Sequence, residues 1–163
     1  MSDVFVVMGS DNDWSVVRKA CEVLKSYGVT YTARVLSAHR TPALLEAAIR
    51  EAEKGGVKVY IAAAGMAAHL AGVVASQTLR PVIGIPVSSG TLGGEDALLA
   101  MSQMPPGVPV GTVGIDGAMN AGLLAVQILS VADATLHKKL VEERQAMAKK
   151  IMEKDAKLQK DLP

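Results

Sequence analysis

The sequence predicts an α/β chain, a three-layer sandwich with a parallel sheet between two layers of helices. Two observations carry that reading. Short apolar, β-branched runs alternate with longer stretches whose apolar residues recur three and four apart. Such strand and helix alternation builds βαβ units, and βαβ units build parallel sheets. A third observation makes the fold affordable in size: 163 residues, half of them hydrophobic and a fifth charged, are enough for one domain with a full core.

The elements follow in order. Residues 4–8 (VFVVM) form a compact apolar run ending at Gly9, as a strand buried on both faces does. Residues 13–27 are an amphipathic helix with Val16, Val17, Ala20, Val23 and Leu24 inside, stopping at Gly28. Residues 32–36 are the second strand. Thr41 is expected to cap the next helix and Pro42 to open it, with Leu44, Leu45, Ala48 and Ile49 as its inner face and Gly55-Gly56 as its end. Residues 57–63 are the third strand, and 67–79 a helix of small residues. Residues 81–86 (PVIGIP) are the fourth strand, 94–101 a short helix, 110–113 a weaker fifth strand and 118–131 a helix of small and apolar residues.

The composition changes only at the end. Residues 134–160 are rich in Lys and Glu but carry Leu136, Leu140, Met147, Ile151 and Leu158 near helical spacing. This predicts a last helix with a narrow apolar stripe that leaves the domain and packs on a neighbouring subunit. Residues 1–133 are therefore read as the domain proper and 134–163 as a helical extension of it, not a second domain.

Charge and composition exclude several classes. Lys and Arg total 17 against 16 Asp and Glu, so nothing points to nucleic acid or an anionic membrane as partner. Aromatic residues at 3% argue against base stacking and against a flavin held between rings. One cysteine, Cys21, allows no internal disulfide; on an amphipathic helix it reads as a small core residue. No basic leader with a long apolar stretch precedes the domain, and no apolar run reaches the roughly 18 residues of a membrane span. A soluble cytoplasmic protein is expected.

Ligands of open parallel sheets bind beyond the carboxyl ends of the strands. After the first strand come Gly9, Ser10, Asp11, Asn12 and Asp13. Glycine and small polar residues before a helix make an anion cradle, although Ser10, Asn12 or Asp13 could equally serve only as caps. No Walker A lysine and no GxGxxG fingerprint follows. After the second strand come Ser37, Ala38, His39, Arg40, Thr41 and Pro42. There an imidazole able to exchange a proton near neutral pH sits beside a cation able to grip phosphate with two hydrogen bonds. After the third strand, Gly65, Ala67, Ala68, His69 and Leu70 let a substrate approach the backbone closely. His69 is placed on the first turn of the following helix, and His137 is read as solvated. The three histidines are too far apart in sequence to suggest a metal cluster.

At these residues the chain resembles a known family. GSDNDW (9–14), SAHRTP (37–42), AGMAAHLAG (64–72), PVIGIPV (81–87), QMPPGVPVGT (103–112) and NAGLLAVQIL (120–129) resemble the catalytic subunit of phosphoribosylaminoimidazole carboxylase, in its bacterial N5-carboxyaminoimidazole ribonucleotide mutase form. The likeness runs in order over about residues 4 to 140. It implies a flavodoxin-like sheet, a homo-octamer, and no cofactor or metal. It implies a role in purine biosynthesis, moving a carboxylate from the exocyclic N5 to ring carbon C4 of an aminoimidazole ribonucleotide by way of CO2. Position by position, it implies His39 as general acid and base, Ser10 and Arg40 on the phosphate side and Asp13 at the ribose hydroxyls. Gly65, Ala67, Ala68, His69 and Leu70 become the wall near the imidazole, with Gly9, Ser37 and Ala38 completing the substrate contacts.

The chain departs from the family pattern at Asn12, Met66 and Ala71, where Ser, Gly and Pro are usual. Met66 is expected to point away from the site into the core. Two other readings compete. A direct CO2-dependent carboxylase of the same fold would carry Lys after the SAH triplet, where this chain has Arg40. A non-catalytic flavodoxin-like module is the other. A receiver domain would need an aspartate ending the third strand, which here ends Ala63-Ala64-Gly65, and Trp14 and Phe5 are poor evidence for a flavin carrier.

Overall fold

The computed structural model describes residues 2–162; Met1 and Pro163 lie outside the described residues. The elements in order are β1 (Val4–Met8), α1 (Trp14–Tyr27), β2 (Tyr31–Val35), α2 (Pro42–Lys54), β3 (Val59–Gly65), α3 (Leu70–Ala75), β4 (Val82–Val87), α4 (Glu95–Ser102), β5 (Gly111–Thr112), α5 (Ala118–Ser130) and α6 (Ala134–Asp161). A single 3-10 turn, Asp11–Asp13, leads into α1. The five strands are all parallel and lie in the order β2-β1-β3-β4-β5, the flavodoxin-like doubly wound arrangement with its switch point between β1 and β3.

Strand alternation sorts the core into two halves. Val4, Val6, Met8, Val59, Ile61 and Ala63 face one side, where α1, α5 and the start of α6 cover them. Phe5, Val7, Tyr60, Ala62 and Ala64 face the other, under α2, α3 and α4. Both faces are therefore buried, which is why β1, β3 and β4 read as unbroken apolar runs. The edge strand β2 is mostly exposed. On the first face α1 and α5 touch backbone to side chain at Gly122. A Cβ there would stand 2.9 Å from both the Ala20 carbonyl and the Val23 Cβ.

Several boundaries differ from expectation. The small-residue helix is only Leu70–Ala75. Its expected first turn is consumed by tight turns, Ala68 N–H donating to the Met66 carbonyl and His69 N–H to that of Ala67. At its far end, the Thr78 hydroxyl is turned to the Glu53 carboxylate and the Arg80 N–H, ahead of Pro81. Thr41 does not cap α2 with its side chain. Its hydroxyl is taken by the Ser37 backbone, accepting from the N–H at 2.9 Å and donating to the carbonyl at 3.1 Å. Leu44 is exposed, so the inner face of α2 is Leu45, Ala48 and Ile49. Cys21 is buried, and burial pushes its thiol up to about 11.

The last helix begins with an Asp133 cap, whose carboxylate accepts from the N–H groups of Thr135 and Leu136. Leu136 is buried with the α1 and α5 side of the core, and Leu140 is partly so. Lys139 donates to the Tyr27 carbonyl at 2.8 Å, and the Tyr27 hydroxyl donates to Glu143 at 3.2 Å. Beyond Glu143 every described residue of α6 is exposed, Met147, Ile151 and Leu158 included.

Candidate functional site

The sheet register brings three loops to one level. Met8 pairs with Val35 on one side and Ala63 on the other, so β1 and β2 end together and β3 runs two residues further, to Gly65. The pairing continues one step into the loops: Leu36 N–H donates to the Met8 carbonyl at 2.9 Å and Gly9 N–H to Ala63 at 3.1 Å. The site flanks the switch point, where a doubly wound sheet opens a crevice for ligand.

In the first loop Ser10 and Asp13 hold each other. The Ser10 hydroxyl accepts from Asn12 N–H at 3.2 Å, and Asp13 Oδ2 accepts from Ser10 N–H at 3.2 Å, a reciprocal capping box around the 3-10 turn. The capping that the sequence offered for Ser10 and Asp13 is therefore present. Asp13 is the one buried charged side chain among the described residues. Burial pushes its carboxyl above the ordinary value, and the Ser10 N–H and the nearby Arg40 charge pull the other way.

In the second loop Arg40 reaches across to the first. Its Nη2 donates to the Gly9 carbonyl at 2.7 Å and its Nε to the Ser37 hydroxyl at 3.4 Å. The Ser37 hydroxyl also accepts from Arg40 N–H at 3.1 Å. Ser37 is thereby the hub of the loop, its backbone pinned by Thr41 and its hydroxyl steering the guanidinium. The cation stands between loops one and two, where a phosphate on the Ser10 side would meet it.

The third loop supplies the partner that sequence spacing concealed. His39 and His69, thirty positions apart, meet ring to ring, Nε2 of His39 to Nδ1 of His69 at 2.9 Å, nearly perpendicular at 86°. The two outer loops close over the switch point through this pair. His69 is not on the first turn of α3 but one residue before it. His137 is exposed and apart on α6. Among the described residues no group of three His, Cys, Asp or Glu is placed to hold a metal ion.

Gly65 is the last residue of β3, and the loop after β4 packs closely over it. A Cβ there would stand 2.0 Å from the Ser89 hydroxyl, in the loop after β4. Ala68 and Leu70 are buried beneath the loop, while Ala67 and His69 face outward. Met66 corrects the expectation of a core side chain. It is 58% exposed, and its φ of 53° lies in the left-handed region. A cavity of about 1200 Å³ lies away from this site, at the amino ends of β4 and β5, bordered by Leu79, Pro81, Val108 and Pro109.

A doubly wound parallel sheet with a histidine pair and an arginine beside its switch point has the layout of the flavodoxin-like class, whose small-molecule sites lie at that place. Residues 3–150 match the model of the family described as AIR carboxylase. The chain belongs to the AIR carboxylase family. It is 56% identical over 131 residues to the N5-carboxyaminoimidazole ribonucleotide mutase of Saccharolobus solfataricus, covering 80% of this chain and 83% of that one. It is 51% identical to the protein of that name from Pyrococcus abyssi, over 90% and 84% of the two chains. The crystal structure of Treponema denticola PurE is similar across 95% of this chain and 97% of its own, with a TM-score of 0.88 at 31% identity.

Proposed function

We propose that the protein is a cytoplasmic N5-carboxyaminoimidazole ribonucleotide mutase of purine biosynthesis, moving the carboxylate from N5 to C4. The observation that carries the mechanism is the His39–His69 pair at the switch point. The reaction breaks the N5–carboxylate bond and releases CO2, while N5 gains a proton. C4 then attacks the CO2, and the proton displaced from C4 is removed. No net proton is consumed, so one group that gives a proton and takes it back completes the cycle.

His39 is that group. Its Nε2 is engaged by His69, so Nδ1 is the atom left for the substrate. As imidazolium it donates to N5; as the neutral ring it accepts from C4. His69 fixes the ring and its tautomer. Ser10 and Arg40 take the phosphate, Asp13 the ribose hydroxyls, with Gly9, Ser37 and Ala38 alongside. Gly65 and Ala67 keep side-chain bulk off the wall beside the ring, above the buried Ala68 and Leu70, which suits a linear apolar molecule such as CO2.

The working unit is a homo-oligomer, an octamer, in which the exposed stripe Met147, Ile151 and Leu158 of α6 packs on a neighbouring subunit. Incubation with synthetic N5-carboxyaminoimidazole ribonucleotide is the test of function. Appearance of the C4-carboxylated ribonucleotide supports the reading; an unchanged substrate contradicts it.

A further inference from the structure

Met66 stands at a costly backbone position for a side chain, with φ at 53°. It spends that conformation on a contact outside its own loop. The space above the Gly90 Cα is filled by Met66, its Cγ 3.3 Å and its Sδ 3.6 Å from where a Gly90 Cβ would be. Gly90 itself has φ of 67° and bears no side chain to compete. One residue earlier, Gly65 gives its own side-chain space to Ser89. The loops after β3 and β4 therefore interlock through two successive steps, Ser89 over Gly65 and Met66 over Gly90.

The β4 side of that contact is otherwise loosely specified. Gly90, Gly93 and Gly94 all take positive φ, the conformations of a segment with many alternatives when free. Its hydrogen bonds lie toward its two ends: Ser88 N–H donates to the Asp116 carboxylate at 2.9 Å and the Ser89 hydroxyl to the Val87 carbonyl at 3.4 Å, while the Leu92 carbonyl accepts from Glu95 N–H at 3.1 Å and the Gly94 carbonyl from Leu98 N–H at 2.9 Å. The β3 side carries Gly65, Ala67 and, two residues on, His69. The Met66 carbonyl accepts from Ala68 N–H at 2.8 Å, so Met66 is also part of the turn that delivers His69 to His39.

We infer that Met66 is a positioning residue. Its flexible thioether clamps the glycine-rich loop after β4 onto the loop that carries His69, and so holds the mouth of the ribonucleotide site in its binding shape. This rests on the mutase reading for its kinetic consequence, but not for the clamp itself.

The test compares Met66→Ala, which keeps Cβ but loses the atoms that meet Gly90, with Met66→Leu, which keeps Cγ. Amide hydrogen exchange of residues 88–94 is read without substrate. Met66→Ala is expected to quicken it about tenfold, the effect of losing two or three apolar atoms from a contact. The KM for N5-carboxyaminoimidazole ribonucleotide rises about fivefold on the same scale, with kcat changed far less. Met66→Leu restores both. Unchanged exchange in Met66→Ala overturns the clamp, and faster exchange with an unchanged KM overturns its bearing on the site. Failure of the mutase reading would show separately, as a wild-type chain that does not turn the substrate over.

Discussion

The proposed proton chemistry rests on His39, so His39→Asn and His39→Ala are expected to lower kcat by about 10²–10⁴, the usual span for a general acid–base group. Circular dichroism of both variants should match the parent, because His39 is exposed and no core contact depends on it. Near-parental turnover would remove His39 from its role. Cys21 makes a different prediction. Its thiol ionises in the unfolded chain near 9 and in the folded protein near about 11. Between those values the unfolded state has lost a proton that the folded state keeps, so stability falls as pH rises. Denaturant midpoints of parent and Cys21→Ala, measured from pH 8 to pH 11, should show a steeper alkaline loss in the parent, by about 2 kcal/mol at the upper end. Parallel curves would contradict the burial argument. At this scale the sequence was informative about which residues gather and silent about how they bond. The capping of the first loop was foreseeable from residue types. The Thr41 hydroxyl had two uses within reach, and the Ser37 backbone took it.

The close approach of α1 and α5 needs a glycine at position 122. Gly122→Ala places a methyl 2.9 Å from the Ala20 carbonyl and the Val23 Cβ, and neither is the free end of a flexible chain. The helices must move apart, at a cost of about 1–3 kcal/mol read from urea midpoints. No change in midpoint would show that the pair tolerates the shift. The other exposed consequence of element packing is α6. Removal of residues 145–163 should leave the domain folded, since Leu136, Lys139, Leu140 and Glu143 make its contacts with α1 and the core. The same truncation should break the proposed oligomer in light scattering at low micromolar concentration; an assembly of unchanged size would contradict a role for the stripe. Strands and long helices were legible because burial on both sheet faces and one-sided burial of helices impose distinct periods. The helix after β3 was overextended because alanine and glycine carry no period, and the turns at Met66–His69 depend on hydrogen bonds that composition does not reveal.

At the scale of the whole molecule, chain reversal sets what sequence can disclose. The order β2-β1-β3 puts the second and third loops on opposite sides of the first. Residues 39 and 69 then meet although thirty positions separate them, and only the fold brings that distance to 2.9 Å. The switch point could be inferred from alternation and strand ends; the histidine pair across it could not. Likewise the left-handed Met66 and its contact with Gly90 arise from two loops joined only through neighbouring strands. In the proposed reaction one carboxylate is carried from N5 to C4 within a single active site. The most direct measurement supplies N5-carboxyaminoimidazole ribonucleotide labelled with carbon-13 in its carboxylate, in buffer containing unlabelled bicarbonate, and follows the C4-carboxylated product by NMR at early times. Label retained in the product is the predicted result. Product whose carboxylate comes from the unlabelled pool would contradict it and make the protein a direct carboxylase.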